Sequence, residues 1–402
     1  MNNIYQFLVN DNEESAAKSI LNALEEKKII YIKNKSNKLS ELINPINFEG
    51  PAVLLNSSGS SQNKKKCIHP IANLNQSAKF SGLWLRNLGI ELENCIIFNT
   101  LPLNHISGLM ALWRSKVWDC EYINISRKLI KNTKFLFENT KPTIRKQKFL
   151  ITSLVPTQLN RLLLDKDGVE WLKIFDLIWV GGARLSKITA DNCRENKINL
   201  SPCYGATETA AMVTSLKPYD FLNGINTVGE PLEDINLRIN KNGLIEIDSE
   251  RIGLKFDNKD ELKSFKKLDG WWESGDVGEL FISQKKKYLK IIGRADNAFN
   301  SGGETIFPDV IKFRLDEFIS QKRLPIEELS ILRIPDKLWE NKFKIALKFK
   351  DKNSKEVITK SLNLLKELSM KWPKPERPKE WLIENRSAIY EKNHIKNWKD
   401  NF

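Results

Sequence analysis

Short apolar runs alternate with amphipathic stretches through the N-terminal half of the chain. Runs such as Cys95–Asn99 and Leu177–Val180 are apolar at nearly every position rather than at every second one. Strands covered on both faces by helices have this composition, so the pattern favours a mostly parallel sheet. It predicts strands at Ala52–Leu55, Cys95–Asn99, Glu121–Ile125, Phe149–Ser153, Leu177–Val180 and Asn199–Ser201. It predicts helices at residues 15–30 and at Asn73–Leu88, Ile106–Val117, Pro156–Leu164 and Ser186–Asn196.

The pattern changes after Thr227, where the apolar runs shorten and turn residues separate them. Antiparallel strands are predicted at Asn236–Ile239, Leu244–Ile247, Glu279–Ile282 and Tyr288–Ile292. Beyond Asn297 a compact α+β module is predicted, with helices Asp309–Phe318 and Ser361–Met370 and strands Leu329–Ile334, Lys344–Phe349 and Trp381–Ile383. We therefore predict an α/β fold: a large N-terminal domain (1–295) with doubly wound, mostly parallel sheets and a small antiparallel, barrel-like subdomain, then an α+β C-terminal domain (296–402).

Composition narrows the class of protein. The 402 residues include 64 Lys and Arg against 50 Asp and Glu, a net charge of +14. The lysines are scattered, as at Lys64–Lys66 and Lys285–Lys287, and form no arginine-rich arm, so nucleic acid is not the expected partner. Five cysteines without a C-x-x-C pair and three scattered histidines argue against a zinc site. Met1–Asn12 lacks a secretory signal and no apolar run could span a bilayer, so we expect a cytoplasmic protein and leave a homo-oligomer open.

Three clusters of glycine and acidic residues follow one another in the second half of the chain. They are Tyr204–Thr209 (YGATET), Trp271–Asp276 (WWESGD) and Gly293–Glu304, which begins GRAD and ends SGGE. They supply backbone N–H and hydroxyl groups for phosphate, carboxylates for ribose hydroxyls or Mg²⁺, and an arginine for a polyanion. Together they predict a nucleotide site.

Three further segments carry candidate chemistry with open alternatives. The hydroxyls and lysines of Asn56–Lys66, between a strand and a predicted helix, suit either a triphosphate loop or a solvated turn. His105 either faces a cleft at a strand's carboxyl end or packs beneath a helix capped by Asn104. Gly181–Ala183 is a tight turn where the backbone could approach a ligand closely.

The order of these segments resembles the adenylate-forming acyl-CoA synthetase superfamily over residues 52–398. The resemblance implies a two-step ligase that uses ATP, Mg²⁺ and coenzyme A and acts on a small-molecule carboxylic acid. It is strongest for a subgroup whose acid carries a second carboxylate, through Leu101–Leu109 with Leu112-Trp113-Arg114, and through Ile292–Pro308. The alternatives are a ligase for another aryl or acyl acid and a non-catalytic nucleotide-binding homologue. It also implies that the C-terminal domain is a mobile lid.

Residue roles follow from the same resemblance. It implies that Thr207 contacts the α-phosphate, Glu208 holds Mg²⁺, Asp276 binds the ribose with Arg294 beside it, and Asp296 is the hinge. His105 and Ser107 would line the acyl pocket, where Arg114 would bind a substrate carboxylate because an arginine can hold both of its oxygens. The remaining nucleotide-binding residues would be Ser57, Ser58, Gly59, Ser60, Ser61, Lys65, Gly181, Gly182, Ala183, Tyr204 and Gly205, with Tyr204 stacking on the base.

Two motifs depart from the superfamily pattern. The phosphate loop has Ser61-Gln62 and Lys64–Lys66 where the superfamily has Thr-Gly and Pro-Lys-Gly. The C-terminal Gly-Lys is absent, and Tyr390–Trp398 (YEKNHIKNW) takes its place. Lys392 is therefore the expected catalytic lysine of the adenylation step, with Lys396 as the alternative.

Overall fold

The computed structural model describes residues 4–9, 13–34, 48–57, 66–126, 128–141, 148–256, 262–283, 286–350 and 354–383. The chain divides into two compact units, Met1–Ile291 and Ile292–Phe402. The domain boundary predicted at 295/296 lies four residues beyond this division.

The first unit begins with a six-stranded sheet. Its first elements are β1 (Ile4–Val9), α1 (Glu13–Glu25), β2 (Ile29–Asn34), β3 (Ala52–Asn56), β4 (Lys66–Pro70) and α2 (Ile71–Arg86). Strands β1 to β3 are parallel, with Ile29 opposite Ala52, and β4 runs antiparallel to β3, with Leu54 opposite Ile68. Helix α2 buries Leu74, Ala78, Ser81 and Leu85. This spacing places the four residues on one face of the helix, and that face packs toward the core.

A seven-stranded sheet follows. Its elements are β5 (Cys95–Asn99), α3 (Ile106–Trp118), β6 (Glu121–Asn124), α4 (Thr133–Thr140), β7 (Phe149–Leu154), α5 (Pro156–Leu162), α6 (Lys166–Lys173), β8 (Leu177–Val180), α7 (Lys187–Glu195), β9 (Leu200–Ala206), β10 (Ala211–Ser215), α8 (Pro218–Leu222) and β11 (Glu230–Pro231), with short 3-10 turns at Leu92–Asn94 and Leu129–Lys131. The strand order is β11-β10-β9-β8-β7-β5-β6, and the five strands from β9 to β6 are parallel.

Both faces of the parallel sheet are buried. Ile96, Phe98 and Ile178 pack with residues of α4 to α8, whereas Ile97 and Trp179 pack on the opposite face with α2 and α3 residues. Helix α3 also packs against the six-stranded sheet through Leu109. The burial of the parallel sheet on both faces explains why its strands have continuous apolar sequences. It also confirms the predicted doubly wound α/β fold.

An antiparallel sheet completes the first unit. Its region contains β12 (Asn236–Ile239), β13 (Leu244–Asp248), β14 (Leu254–Phe256), β15 (Leu262–Ser264), β16 (Trp272–Ser283) and β17 (Lys286–Arg294). Strands β12, β13, β16 and β17 form a four-stranded sheet. Strands β14 and β15 instead extend the six-stranded sheet, where Leu254 pairs with Ile68.

The second unit is the predicted α+β module. It contains β18 (Phe299–Ser301), β19 (Glu304–Ile306), α9 (Pro308–Gln321), β20 (Ile326–Asp336), β21 (Glu340–Phe349), α10 (Lys355–Met370) and β22 (Glu380–Ile383), with a 3-10 turn at Lys374–Glu376. Strands β20 and β21 pair antiparallel and β22 joins β21 in parallel. Leu315 of α9 and Leu365 of α10 pack with Phe343 and Ile345 in one core.

Two local predictions are wrong. The helix predicted over residues 15–30 ends at Glu25, because Lys27 adopts a left-handed backbone (φ 58°) and the β-branched run from Ile29 forms β2. The segment after the predicted phosphate loop is not a helix but strand β4, and α2 starts only at Ile71.

Candidate active site

Two predicted site segments lie side by side at the carboxyl edge of the parallel sheet. Gly181–Ala183 follows β8, Tyr204 lies near the end of β9, and Val180 pairs with Pro202 in the register between them. Gly182 has a left-handed backbone (φ +80°), and a Cβ on Gly181 would lie 3.0 Å from Cys203 Sγ. The backbone angle therefore favours glycine at position 182, and Gly182 and Ala183 are exposed at the edge where open α/β sheets bind ligands.

Tyr204 and Asp276 are brought together from different sheets. The Tyr204 hydroxyl donates a 2.6 Å hydrogen bond to Asp276 Oδ2. Asp276 follows Gly275 (φ +76°), and its own N–H donates to Ser274 Oγ at 3.1 Å. Both side chains are half-buried. An aromatic ring and an oriented carboxylate thus share one surface, as a base and its ribose would require.

Thr207–Ala210 forms the hairpin loop between β9 and β10. The Thr209 hydroxyl accepts from the Ala206 N–H at 3.0 Å and donates to the Ala211 carbonyl at 2.7 Å. Ala210 and Ala211 both have positive φ, 50° and 82°. Such angles cost energy in residues with a Cβ, so the loop is held in a strained shape by its surroundings.

Three groups outside the hairpin hold its carbonyl oxygens. His69 Nε2, on β4, lies 2.6 Å from the Thr207 oxygen. The Gly253 N–H donates to the Glu208 oxygen at 2.8 Å, and Ser77 Oγ of α2 donates to the Ala210 oxygen at 2.5 Å. The six-stranded sheet and α2 therefore set the position of the two residues expected at the α-phosphate and Mg²⁺.

Arg114 is enclosed between α3, α2 and the parallel sheet. Its side chain is only 4% exposed, Nε donates to Ser81 Oγ at 3.0 Å, and the guanidinium lies 4.8 Å from the Trp179 ring centre. Nη2 is buried and finds no hydrogen-bond acceptor in the part of the chain that the structure describes. Burial lowers the pKa of Arg114 to about 9; Cys203 opposes that shift and Arg251 adds to it. A buried cation with a free donor is suited to an anion supplied by a ligand.

His105 and Ser107 lie at the start of α3. His105 is the residue before the first helical position and its side chain is exposed, so it is not packed beneath the helix. The backbone N–H of His105 donates to the Pro102 oxygen at 3.0 Å. Gly108 is required next to this turn, because a Cβ there would lie 2.3 Å from the same oxygen. Ser107 is half-buried.

Arg294 and Asp296 belong to the second unit and pair with each other. Nε and Nη2 of Arg294 donate to the two carboxylate oxygens of Asp296 at 3.2 and 3.0 Å. This bidentate pair lowers the pKa of Asp296. The arginine predicted beside the ribose and the residue predicted as the hinge are thus paired directly with each other.

Several predicted residues lie outside the described part of the chain: Ser58, Gly59, Ser60, Ser61, Lys65, Lys392 and Lys396. Ser57 is described and is 5% exposed directly after β3. Within the described residues no group of three or more His, Cys, Asp or Glu could hold a metal ion. Among the described helices, none is long and apolar enough to cross a membrane.

His69, Ser81 and Trp179 were not predicted from the sequence. His69 lies in a run, KCIHP, that has no strand-like alternation, and its partner is 138 residues away. The only signal was that one of three histidines falls between the predicted phosphate loop and a helix.

A parallel sheet with two ligand-facing turns and an oriented Tyr–Asp pair at its carboxyl edge is the arrangement of a nucleotide-binding α/β protein. The chain belongs to the AMP-binding enzyme family, which matches residues 6–247.

Individual relatives agree with this assignment. The chain is 28% identical over 305 residues to a 2-succinylbenzoate–CoA ligase of Listeria monocytogenes, covering 75% of this chain and 60% of that protein. It therefore spans about three fifths of the length of the curated relatives it matches. The o-succinylbenzoate CoA synthetase of Bacillus subtilis in complex with its acyl-adenylate intermediate has a similar fold (TM-score 0.74, 19% identity, 96% of this chain, 85% of that one). The same enzyme with ATP and magnesium matches with a TM-score of 0.67 at 19% identity, over 94% and 80% of the two chains.

Proposed function

We propose that this protein activates 2-succinylbenzoate as an acyl-adenylate and transfers the acyl group to coenzyme A. The observation that carries the substrate assignment is Arg114, buried with a free Nη2 beside Ser81 and Trp179. 2-Succinylbenzoate has two carboxylates, of which one reacts and the other needs a cation. A fatty-acyl pocket would leave this guanidinium buried and unpaired, which is costly. The names of the relatives support the same acid.

The nucleotide side of the proposal rests on the sheet edge. Gly181, Gly182 and Ala183 would line the adenine, with the Tyr204 ring stacked on the base. Asp276, oriented by the Tyr204 hydroxyl, would accept hydrogen bonds from the ribose hydroxyls. Thr207 would contact the α-phosphate of ATP. Further proposed contacts are Ser57, Ser58, Gly59, Ser60, Ser61 and Lys65 to the other phosphates, Gly205 beside Thr207, and Arg294.

Glu208 would supply the single protein carboxylate that a Mg²⁺ ion bound to a nucleotide needs. Mg²⁺ at nucleotides is held largely by phosphate oxygens and water, with one or two protein carboxylates. The Glu208 backbone is fixed by Gly253, and its side chain is half-buried. Bound there, Mg²⁺ would neutralise phosphate charge.

The proposed chemistry has two displacements. A carboxylate oxygen attacks the α-phosphorus of ATP, the bond to pyrophosphate breaks, and an acyl-adenylate forms. The thiol sulfur of coenzyme A then attacks the acyl carbon, loses its proton, and AMP leaves. The chain's task in the first step is alignment and charge stabilisation, with Lys392 as the proposed cation at the phosphate. His105 and Ser107 would line the acyl pocket, and Asp296 would be the hinge of the C-terminal domain between the steps.

The test is acid-dependent release of pyrophosphate. The purified chain is mixed with Mg·ATP and one acid at a time: 2-succinylbenzoate, benzoate, a short fatty acid or a long one. We expect release with 2-succinylbenzoate at least about tenfold faster than with benzoate, since benzoate leaves Arg114 unpaired. Coenzyme A should then yield the thioester.

The other outcomes discriminate the alternatives. Equal rates on benzoate or a fatty acid would overturn the substrate assignment and leave an acyl-CoA ligase. ATP binding without pyrophosphate release on any acid would indicate a non-catalytic nucleotide-binding protein.

A further inference from the structure

His69 is a fully buried imidazole that the proposed chemistry does not use. It lies on β4, and its Nε2 is 2.6 Å from the Thr207 carbonyl oxygen and 3.2 Å from Cys67 Sγ. A carbonyl oxygen only accepts hydrogen bonds, so Nε2 must carry the hydrogen. Nδ1 is then an acceptor, and it is buried without a hydrogen-bond partner among the described residues.

The unpaired Nδ1 makes His69 an unfavourable choice for a purely structural position. Burial lowers the pKa of His69 to about 4, which keeps the ring neutral near pH 7; the bond to Thr207 opposes this shift. A buried nitrogen without a partner costs free energy that an apolar side chain would avoid. The one contact that only a donor can make here is the bond to Thr207, so the use of His69 lies in that bond.

The Thr207 carbonyl oxygen belongs to the strained hairpin loop and is held by hydrogen bonds. It accepts from His69 and, at 3.2 Å, from the Ala210 N–H. The hairpin's other strained residue, Ala211, has φ 82°. Two positive φ angles in succession would relax unless neighbouring contacts opposed it. His69 makes the shorter of the two side-chain contacts to the Thr207 oxygen, since the Cys67 thiol lies 4.0 Å from the same atom.

Gly253 completes the anchor on the next carbonyl. Its N–H holds the Glu208 oxygen at 2.8 Å. A Cβ at Gly253 would lie 2.6 Å from Cys67 Sγ and 2.8 Å from His69 Cε1. The absence of a side chain therefore lets His69 and the Gly253 backbone reach successive carbonyls of the hairpin together.

We propose that His69 is a positioning residue: by holding the Thr207 carbonyl it keeps Thr207 and Glu208 oriented for the adenylation step. The inference rests on the proposed function, because Thr207 and Glu208 are placed at the α-phosphate and Mg²⁺ by that proposal. His69 itself touches no substrate in it.

The test compares two substitutions with a matched control. His69→Leu removes the donor and fills the position with an apolar side chain, whereas His69→Gln can place an amide N–H where Nε2 lies. Thr152→Val is the control, since it also removes one buried bond to a carbonyl, 2.8 Å to Phe98, but far along the chain from the hairpin. For each variant kcat and the KM for ATP are measured by pyrophosphate release with 2-succinylbenzoate. Hydrogen exchange of the peptide covering residues 204–212 is measured alongside.

We expect His69→Leu to lower kcat about tenfold or more with a much smaller change in KM, because misalignment acts on the reacting geometry. His69→Gln should recover most of that loss, and Thr152→Val should behave as the unsubstituted chain. Unchanged kcat in His69→Leu, an equal loss in His69→Gln, or an equal loss in Thr152→Val would overturn the proposal.

If His69→Leu does not fold, His69→Met replaces it, with the same expectations. If the unsubstituted chain releases no pyrophosphate with any acid, the proposed function has failed, and hydrogen exchange decides on His69. Faster exchange in the hairpin of His69→Leu but not of His69→Gln then supports the positioning role, and unchanged exchange overturns it.

Discussion

At the scale of single residues, two buried arginines show how burial can be structural or functional. Arg251 is fully buried, with Nε 3.3 Å from Asp234 Oδ2 and Nη2 donating to the Met212 oxygen at 2.7 Å. Arg114 has the Ser81 hydroxyl and the Trp179 ring but no carboxylate partner in the described structure. Arg251 thus has a carboxylate at ion-pair distance, although its Nη1 finds no hydrogen-bond partner among the described residues, whereas Arg114 has no such carboxylate and its Nη2 is unpaired there. Replacing Arg114 and replacing Arg251 should therefore have opposite effects on stability.

Arg114→Met should leave stability close to that of the unsubstituted chain or raise it, while the KM for 2-succinylbenzoate rises at least about tenfold. The KM for ATP should change little, because Arg114 is assigned to the acid. Chemical unfolding and pyrophosphate release measure the two effects.

The control is Arg251→Met, which strands the buried Asp234 carboxylate and should lower the free energy of unfolding by about 3 kcal/mol. Equal destabilisation by both substitutions, or an unchanged KM in Arg114→Met, would show that Arg114 is structural.

At the scale of elements, the β9–β10 hairpin depends on how closely its strands approach. A Cβ on Gly205 would lie 2.1 Å from the Ala211 oxygen and 2.5 Å from Met212 Cα, both backbone atoms. Backbone cannot rotate away as a side chain can. Gly205 is therefore required by the hairpin itself, and the shape of the loop with Thr207 and Glu208 follows from this close approach.

Gly205→Ala should lower the free energy of unfolding by about 2 kcal/mol or more and impair pyrophosphate release, because β10 must shift. Gly270→Ala is the comparison: Gly270 also has positive φ, +85°, but no atom lies within 4 Å of a Cβ built there. It should cost only about 1 kcal/mol, the backbone contribution. Thermal unfolding of both variants distinguishes crowding from backbone strain, and equal losses would contradict the steric argument.

The sequence allowed the elements with a clear pattern to be predicted. The bounds of β5 and β8 were predicted to the residue, because runs buried on both faces are apolar throughout. Strand β4 was missed because Cys67, Ile68 and His69 are all buried and show no alternation, while His69 and the flanking Lys66 and Pro70 prevent a continuous apolar run. The joining of β14 to β4 was also missed, because sheet order depends on contacts between segments far apart in the chain. Thr207 and Asp276 could be predicted because they lie in local sequence motifs. His69 could not, because its contact is with a segment far along the chain.

At the scale of the whole molecule, the candidate groups divide between two units. Tyr204, Thr207, Glu208 and Asp276 lie in Met1–Ile291, whereas Arg294 and Asp296 lie in Ile292–Phe402. The lysine proposed for adenylation, Lys392, lies outside the described residues. If Lys392 acts at the phosphate as proposed, the two half-reactions should depend on it in different ways.

Lys392→Ala should therefore separate the two steps. Pyrophosphate release should fall about a hundredfold or more, because the role proposed for this lysine is to stabilise charge on the transferring phosphorus. Conversion of supplied acyl-adenylate and coenzyme A to the thioester should continue, since no phosphorus bond to pyrophosphate is broken in that step. Lys396→Ala is the matched control, a lysine four positions away in the same YEKNHIKNW segment. Full pyrophosphate release in Lys392→Ala together with its loss in Lys396→Ala would reassign the role to Lys396. Equal loss of both steps in Lys392→Ala would argue against a role for Lys392 that is confined to the adenylation step.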